Sequence, residues 1–199
     1  MVDKDIVYGL VLSFAIWLLP IFIRKFRSDW RMMLTYWFVI ALHQAVAFIN
    51  LYLFPMFFAR QDALTYHQVA GRMAQYGTYE HTVSNTYVNI LGSLYWFFGP
   101  SIMLGQQLSI LAFAISFLIL VKLLFILEEH RYRIFILLFY GALPSMVLIS
   151  SVTLRESFQI LFFMLTFYFA IKMHLKQGMN IYLVAFFISA LVMGCFHKA

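Results

Sequence analysis

An all-α polytopic membrane bundle of about six spans is the fold this sequence predicts, and three observations carry that expectation. Of the 199 residues, 64% are hydrophobic and only 11% are charged, whereas soluble domains carry roughly 25% charged residues. The mean hydropathy is +0.87. The apolar residues fall in runs close to the ~20 residues that cross a hydrocarbon core, with most of the charges in the turns between them. A net charge of +6 distributed in this way reflects membrane orientation and does not suggest nucleic acid. The single cysteine, Cys195, lies within an apolar run, so there is no disulfide framework to read.

The opening residues, Met1-Val2-Asp3-Lys4-Asp5, are not a cationic leader, and no small-residue cleavage site follows the first apolar run. That run, Ile6–Ile23, is expected to be retained as a span that bends or stops at Pro20. A basic hairpin from Arg24 to Arg31 leads into a second span, Met32–Phe58, which carries His43, Gln44 and Asn50 as expected interhelical hydrogen-bonding partners. Residues 59–100 form the one long connection. The third span is Ile102–Leu127, closed by the charged turn Glu128–Arg133. The fourth is Ile134–Val152, broken by Gly141 and Pro144. Ser157–Ile171 is a fifth, and Ile181–Phe196 begins a sixth. The chain is expected to be a single transmembrane domain over 1–199, the N-terminal part of a longer protein.

Orientation follows from the basic residues. Alternate turns hold Arg24, Lys25, Arg27, Arg31, Arg131, Arg133, Lys172 and Lys176, eight in all, whereas the other side has five spread over more chain: Lys4, Arg60, Arg72, Arg155 and Lys198. The positive-inside bias puts the first set in the cytoplasm. The long 59–100 connection is then external. Within it, Tyr66, Val69, Ala70, Met73 and Tyr76 recur at the spacing of one helix face, with Thr65, Gln68, Arg72 and Gln75 on others, which predicts an interfacial amphipathic helix over Asp62–Tyr76 ended by Gly77. Tyr87–Phe98 is too short to span and reads as a second interfacial or re-entrant piece. Tyr79, Tyr87, Tyr95 and Trp96 suit the headgroup zone.

Three polar spots then share the external face: Asp62 with Tyr66 and His67, Arg155-Glu156, and His197-Lys198. Ionisable groups at one membrane depth are a functional-site hypothesis by default. Asp62 is either an N-cap of the amphipathic helix or a base for a hydroxyl acceptor, and the two roles are compatible. Tyr66 lies one turn on, whereas His67 points partly away and reads as a headgroup contact, with substrate contact as the alternative. Glu156 suits the positive end of the fifth span. Arg155 opposes that dipole, so either it snorkels outward or an anion such as a phosphate sits between it and the free N–H groups. Lys198 and His197 are either interfacial anchors or partners of Arg155 in holding that anion. No Walker, zincin, nucleophile-elbow or dinucleotide motif is present, and the histidines are too dispersed to argue for a metal.

The run Asp62-Ala63-Leu64-Thr65-Tyr66-His67-Gln68-Val69-Ala70 resembles the acidic start of the first external loop in GT-C type membrane glycosyltransferases. Tyr87–Phe98 followed by Phe98-Gly99-Pro100-Ser101 is similar to a later passage of that loop. Leu143-Pro144 through Ser150-Ser151 to Leu154-Arg155-Glu156-Ser157 resembles a turn of the same group, and Phe196-His197-Lys198 is similar to a pair in related polysaccharide polymerases. The resemblance implies a bacterial inner-membrane or plasma-membrane enzyme with its active face external. Its donor would be a polyprenyl-phosphate sugar lipid, and its acceptor a hydroxyl of a glycan, lipid or protein. Asp62 would be the general base, with Arg155, His197 or Lys198 on the leaving phosphate and Tyr66, His67 and Glu156 around the substrate. No soluble cofactor is required, and a divalent metal is left open. Two alternatives remain: an O-antigen-type repeat-unit polymerase or ligase, led by arginines, and a non-enzymatic lipid or glycan transporter or scaffold subunit.

Overall fold

The computed structural model describes residues 4–27, 29–53, 60–77, 85–175 and 179–197, and all regular structure within them is helical. The helices are α1 (Lys4–Leu18), α2 (Arg24–Arg27), α3 (Trp30–Tyr52), α4 (Arg60–Tyr76), α5 (Asn85–Phe98), α6 (Ile102–Ile126), α7 (Arg133–Ala142), α8 (Pro144–Ser150), α9 (Glu156–His174) and α10 (Met179–His197), with a short 3-10 turn, Leu19–Phe22, after α1. Among the described residues, α3, α6 and α9 are long and apolar enough to cross a membrane, and α7 with α8 makes a fourth such stretch if the bent pair is one span. Ile6–Phe22 and Asn180–Phe196 are shorter apolar helices.

The helix α6 is the hub of the bundle. In its most apolar window 61% of residues are buried inside the protein, against 44% in α3 and 17% in α9. It packs on α1, α3, α7, α8 and α9. Its apolar residues lie on every face of the helix and not in one stripe, which fits a helix packed on several sides. Because lipid tails are as apolar as leucine, burial alone does not join such helices, and close packing with polar pairs does. Gln44 of α3 and Gln107 of α6 exchange two amide hydrogen bonds, at 2.7 and 2.8 Å. Ser116 of α6 meets the Tyr140 hydroxyl at 2.8 Å.

The expected break in the fourth span is a 55° bend between α7 and α8. Pro144 opens α8, where its missing N–H costs nothing. His43 of α3, stacked on Phe113, locks the bend: its Nε2 donates to the Gly141 carbonyl at 2.8 Å and its Nδ1 accepts from the Ser150 hydroxyl. Ser151 returns a hydrogen bond to the His43 carbonyl at 3.0 Å. A methyl at Gly141 would sit 2.5–2.6 Å from the Val39 methyls, so the closest approach of α3 and α7 requires glycine there. His43 and Gln44 thus join helices, as expected from sequence.

The basic turns after α1 and after α6 come to one end of the bundle. Arg133, only 8% exposed, donates to the Glu129 carbonyl, lies 4.0 Å over the Phe125 ring and reaches the Met32 sulfur of α3. At the opposite end α4 packs on α5, and Tyr8 of α1 meets Phe98 of α5 with ring centroids 4.9 Å apart. Gly77 and Gly99 end α4 and α5 at φ values of +66° and +88°, which glycine adopts without strain.

The outward polar residues of α4 are as expected: Thr65, Gln68, Arg72 and Gln75 are exposed. Its covered face differs from the expected stripe. Ala63, Ala70 and Met73 are buried, His67 turns inward, and Tyr76 is 67% exposed. A second correction concerns the aromatics of α5. Tyr87 and Tyr95, expected at the headgroups, are each 1% exposed and form part of the core beneath α4, while Trp96 is 67% exposed. Periodicity sets which face of α5 is apolar, but α4 and not lipid covers that face. Tyr79 lies outside the described residues.

Candidate functional site

The elements at the α4–α5 end meet over the non-helical stretch between α8 and α9. Ala63 of α4 is buried against Val152 and Leu154, with Leu64 and Tyr66 packed on the same cluster. The stretch itself lies on α6: Ser109 Oγ and the backbone of Leu154 are 3.4–3.5 Å apart. Thr153 fits over Gly105, where an added Cβ would meet its Oγ1 at 2.9 Å. This seating carries Arg155 and Glu156 directly to the start of α9.

A hydrogen-bonded chain ties α4 to α6 through α5. The Tyr95 hydroxyl donates to the Ser101 carbonyl at 2.8 Å, so it must accept from His67 Nδ1 at 2.9 Å. Neutral His67 therefore carries its proton on Nδ1. Burial lowers its pKa below the ordinary histidine value, which keeps it neutral at pH 7. Ser101 in turn caps α6, its Oγ accepting from Leu104 N at 3.2 Å. His67 is thus a positioning residue within the fold and not a headgroup contact.

The polar groups next to this chain are unusual in lacking partners. Arg155 Nε lies 3.6 Å from Glu156 Oε1, an ion pair too long to be a hydrogen bond, and the two side chains are 17% and 37% exposed. Arg155 Nε and Glu156 Oε2 are buried with no hydrogen-bond partner among the described residues, as are Tyr87 Oη, Gln106 Nε2, Thr153 Oγ1 and Asn89 Oδ1. Tyr87 belongs to the same neighbourhood. Its ring meets Tyr66 at 5.3 Å and Phe158 at 5.6 Å, and burial pushes its pKa up against the opposing pull of the nearby Ser109 hydroxyl, with the Glu156 carboxylate adding to the rise. Gln106 is one turn before Ser109 on α6, on the side that Leu154 covers. Each unpartnered buried polar group costs about 1–3 kcal/mol, and native proteins keep few of them.

The other sequence-derived candidates distribute as follows. Asp62 is exposed, inside the first turn of α4 and not at its N-cap, on the stripe of Tyr66 one turn further on. Tyr66 packs on the cluster of Ala63, Val152 and Leu154 and meets the Tyr87 ring, so it bridges the two groups. Arg155 stands at the N-cap of α9 with its Nε covered and its side chain 17% exposed. The end of α10 arrives at the same place: Gln159 donates to the Phe196 carbonyl at 3.0 Å, and Phe196 stacks on Phe158 at 5.3 Å. His197 is the last residue of α10, and Lys198 lies outside the described residues. Among the described residues no three His, Cys, Asp or Glu side chains gather as a metal site.

Tyr87, Gln106 and Thr153 were not singled out from sequence. Gln106 left a signal, since an amide inside an apolar span needs a partner, but its neighbour Gln107 carries the same signal and satisfies it with Gln44. Chemically, the cluster offers a guanidinium, a carboxylate, two hydroxyls and an amide donor in a largely dry setting, suited to a ligand with both anionic and hydroxyl groups. No family model matches the chain, and neither a curated protein nor a solved structure matches it.

Proposed function

We propose that this chain is a six-span membrane glycosyltransferase of the GT-C type. It moves a sugar from a polyprenyl-phosphate donor to a hydroxyl acceptor at the non-cytoplasmic face. The observation that carries this reading is the buried, unpartnered polar set around Arg155 and Glu156, roofed by α4 and α5. Groups left unpaired in the free protein are paid for when a ligand pairs them, and a phosphate beside hydroxyls is the chemistry that fits them. In the reaction, the acceptor oxygen loses its proton to the base and forms a bond to the anomeric carbon. The anomeric carbon–phosphate oxygen bond breaks, and the lipid phosphate leaves with the electron pair. Arg155 stabilises the charge that develops on that phosphate.

Asp62 is the base in this reading, supported by its place one turn from Tyr66 on the flank of α4 that meets Leu154. Its exposure favours a second reading, an O-antigen-type polymerase or ligase in which Arg155 leads and no acid at position 62 is needed. Reconstitution of the protein in lipid vesicles with a radiolabelled polyprenyl-phosphate sugar tests both. Transfer that falls about 10²–10³-fold in Arg155→Gln supports the site. Loss in Asp62→Asn as well selects the glycosyltransferase, and full activity in Asp62→Asn selects the rival. Full activity in both variants refutes the proposal.

A further inference from the structure

An open cavity of about 410 Å³ lies where the C-terminal end of α4 meets the second half of α5, lined by Met73, Gly77, Gly92, Ser93, Trp96 and Phe97. Gly77 lies about 16 Å along α4 from Tyr66, and no lining residue is shared with the set around Arg155, Glu156 and Tyr87. Trp96 and Phe97 are 67% and 70% exposed, and their rings, 4.7 Å apart at 71°, make an aromatic corner. Ser93 stands one turn before both rings. Its hydroxyl donates to the Asn89 carbonyl at 2.7 Å, which leaves its lone pairs to accept from a ligand. Gly77 is open, since a Cβ there meets nothing within 4 Å, and it has no side chain to cover the carbonyl end of α4. A Cβ at Gly92 would lie 2.6 Å from the Met73 sulfur, so close contact of the two helices fixes the cavity's floor.

We infer that this cavity binds a neutral pyranose unit of an oligosaccharide, stacked on Trp96 with its hydroxyls on Ser93 and the end of α4. The inference goes beyond the reaction proposed above, because it concerns a separate binding site and needs no phosphate at Arg155. A pyranose presents an apolar C–H face and a rim of hydroxyl donors. The C–H face suits the negative face of an aromatic ring, and the rim suits an acceptor hydroxyl beside a helix's carbonyl end. The size and the mix of aromatic walls with a few polar groups are those of small-molecule sites. None of the lining residues is charged, which favours a neutral ligand. A hydrocarbon chain would match the rings alone and would bury the Ser93 hydroxyl and the carbonyl end of α4 without offering them a donor. A second, more open space of about 550 Å³ shares Ser93 and Phe97 and adds Thr86 and Asn89, whose Oδ1 is buried with no partner among the described residues. Phe97 is therefore a ridge between two adjoining spaces with polar groups in both, an arrangement that suits linked sugars and not a lone one.

The test uses the full protein in phosphatidylcholine nanodiscs, free of sugar-headed detergent, with cellotetraose, whose β-linked glucose units carry C–H groups on both faces. Saturation-transfer NMR should show magnetisation passing from the protein to the sugar's ring C–H protons, and titration should give a saturable curve. Trp96→Leu keeps an apolar side chain but no ring and should weaken binding about tenfold or more, whereas Trp96→Phe keeps a ring and should retain most of it. Ser93→Ala removes one exposed oxygen and should weaken binding about two- to tenfold. Both positions are exposed, so these variants should melt as wild type. Absence of transfer to cellotetraose, or equal binding by wild type, Trp96→Leu and Ser93→Ala, overturns the inference. Lipid is the rival occupant. If brominated phosphatidylcholine quenches a larger fraction of the fluorescence in wild type than in Trp96→Phe, the ring lies in the bilayer and the inference is overturned. Cellotetraose binding that persists in Arg155→Gln supports a site separate from the one proposed for transfer, and binding lost in that variant contradicts it.

Discussion

Replacing Tyr87 with Phe removes a single oxygen, and the surroundings of that oxygen determine the sign of the effect. Tyr87 is 1% exposed, and its hydroxyl makes no well-formed hydrogen bond among the described residues, the nearby Ser109 hydroxyl being engaged with the Gly105 and Leu154 carbonyls. Truncating a satisfied buried hydroxyl normally destabilises a protein. Here the folded chain carries the desolvation cost of an unpaired group, about 1–3 kcal/mol, so Tyr87→Phe should stabilise the ligand-free protein by about 1 kcal/mol or more. For a chain of this size that corresponds to a rise in melting temperature of about 2–4 °C per kcal/mol. The same variant should bind the substrate worse, because a hydrogen bond made only to ligand is lost, worth about 0.5–1.5 kcal/mol. Thermal melts in detergent, with and without an isoprenoid monophosphate, read both effects. A fall in the melting temperature of the ligand-free variant would refute the reasoning, since it would mean the hydroxyl is already satisfied, by water or by Ser109, and plays a structural part.

Further outcomes follow from the same structure. Thr153→Val keeps the volume that fits over Gly105 and removes another unpartnered hydroxyl, so it should raise the melting temperature of the free protein and slow transfer. Glu156→Gln removes the anion next to Arg155 and should tighten binding of inorganic phosphate or a lipid phosphate, read by titration calorimetry. His43→Phe strands the Gly141 carbonyl inside the bundle, while the Ser150 hydroxyl keeps the Val147 carbonyl, and should cost about 1–3 kcal/mol, seen as a lower melting temperature whether or not ligand is present. His67 gives a pH signature. Because its folded pKa lies below the unfolded value of about 6.5, the unfolded chain gains the proton first, and stability falls as the pH drops from about 6.5 towards the folded value, with no change above it. His67→Gln keeps a donor for Tyr95 and should flatten the acid side of a melting-temperature profile relative to wild type.

Sequence made the helices legible because apolar runs and charged turns encode them directly. Pro144 marked the bend between α7 and α8, and Gly77 and Gly99 marked the ends of the two loop helices. The packing of Ala63, Leu64 and Tyr66 on the Val152–Leu154 stretch agrees with the expectation that the two segments share one end of the bundle. The two shorter apolar helices, Ile6–Phe22 and Asn180–Phe196, match the expected runs Ile6–Ile23 and Ile181–Phe196 to within a residue at either end. The site's interior was not legible. A tyrosine on an apolar face packs equally well under a neighbouring helix or among headgroups, so nothing local separated Tyr87 from Trp96. Gln106 and Gln107 are adjacent and alike, and only the third dimension gives one of them a partner on α3.

In the proposed function Arg155 and its unpartnered neighbours receive a lipid-borne phosphate. The most direct measurement is the shift in melting temperature that an isoprenoid monophosphate produces in the wild-type protein and in Arg155→Gln. At a ligand concentration of about 100 times the dissociation constant, binding should stabilise the wild type by about 2.7 kcal/mol, and the variant should respond much less or not at all. An equal shift in both proteins would contradict it.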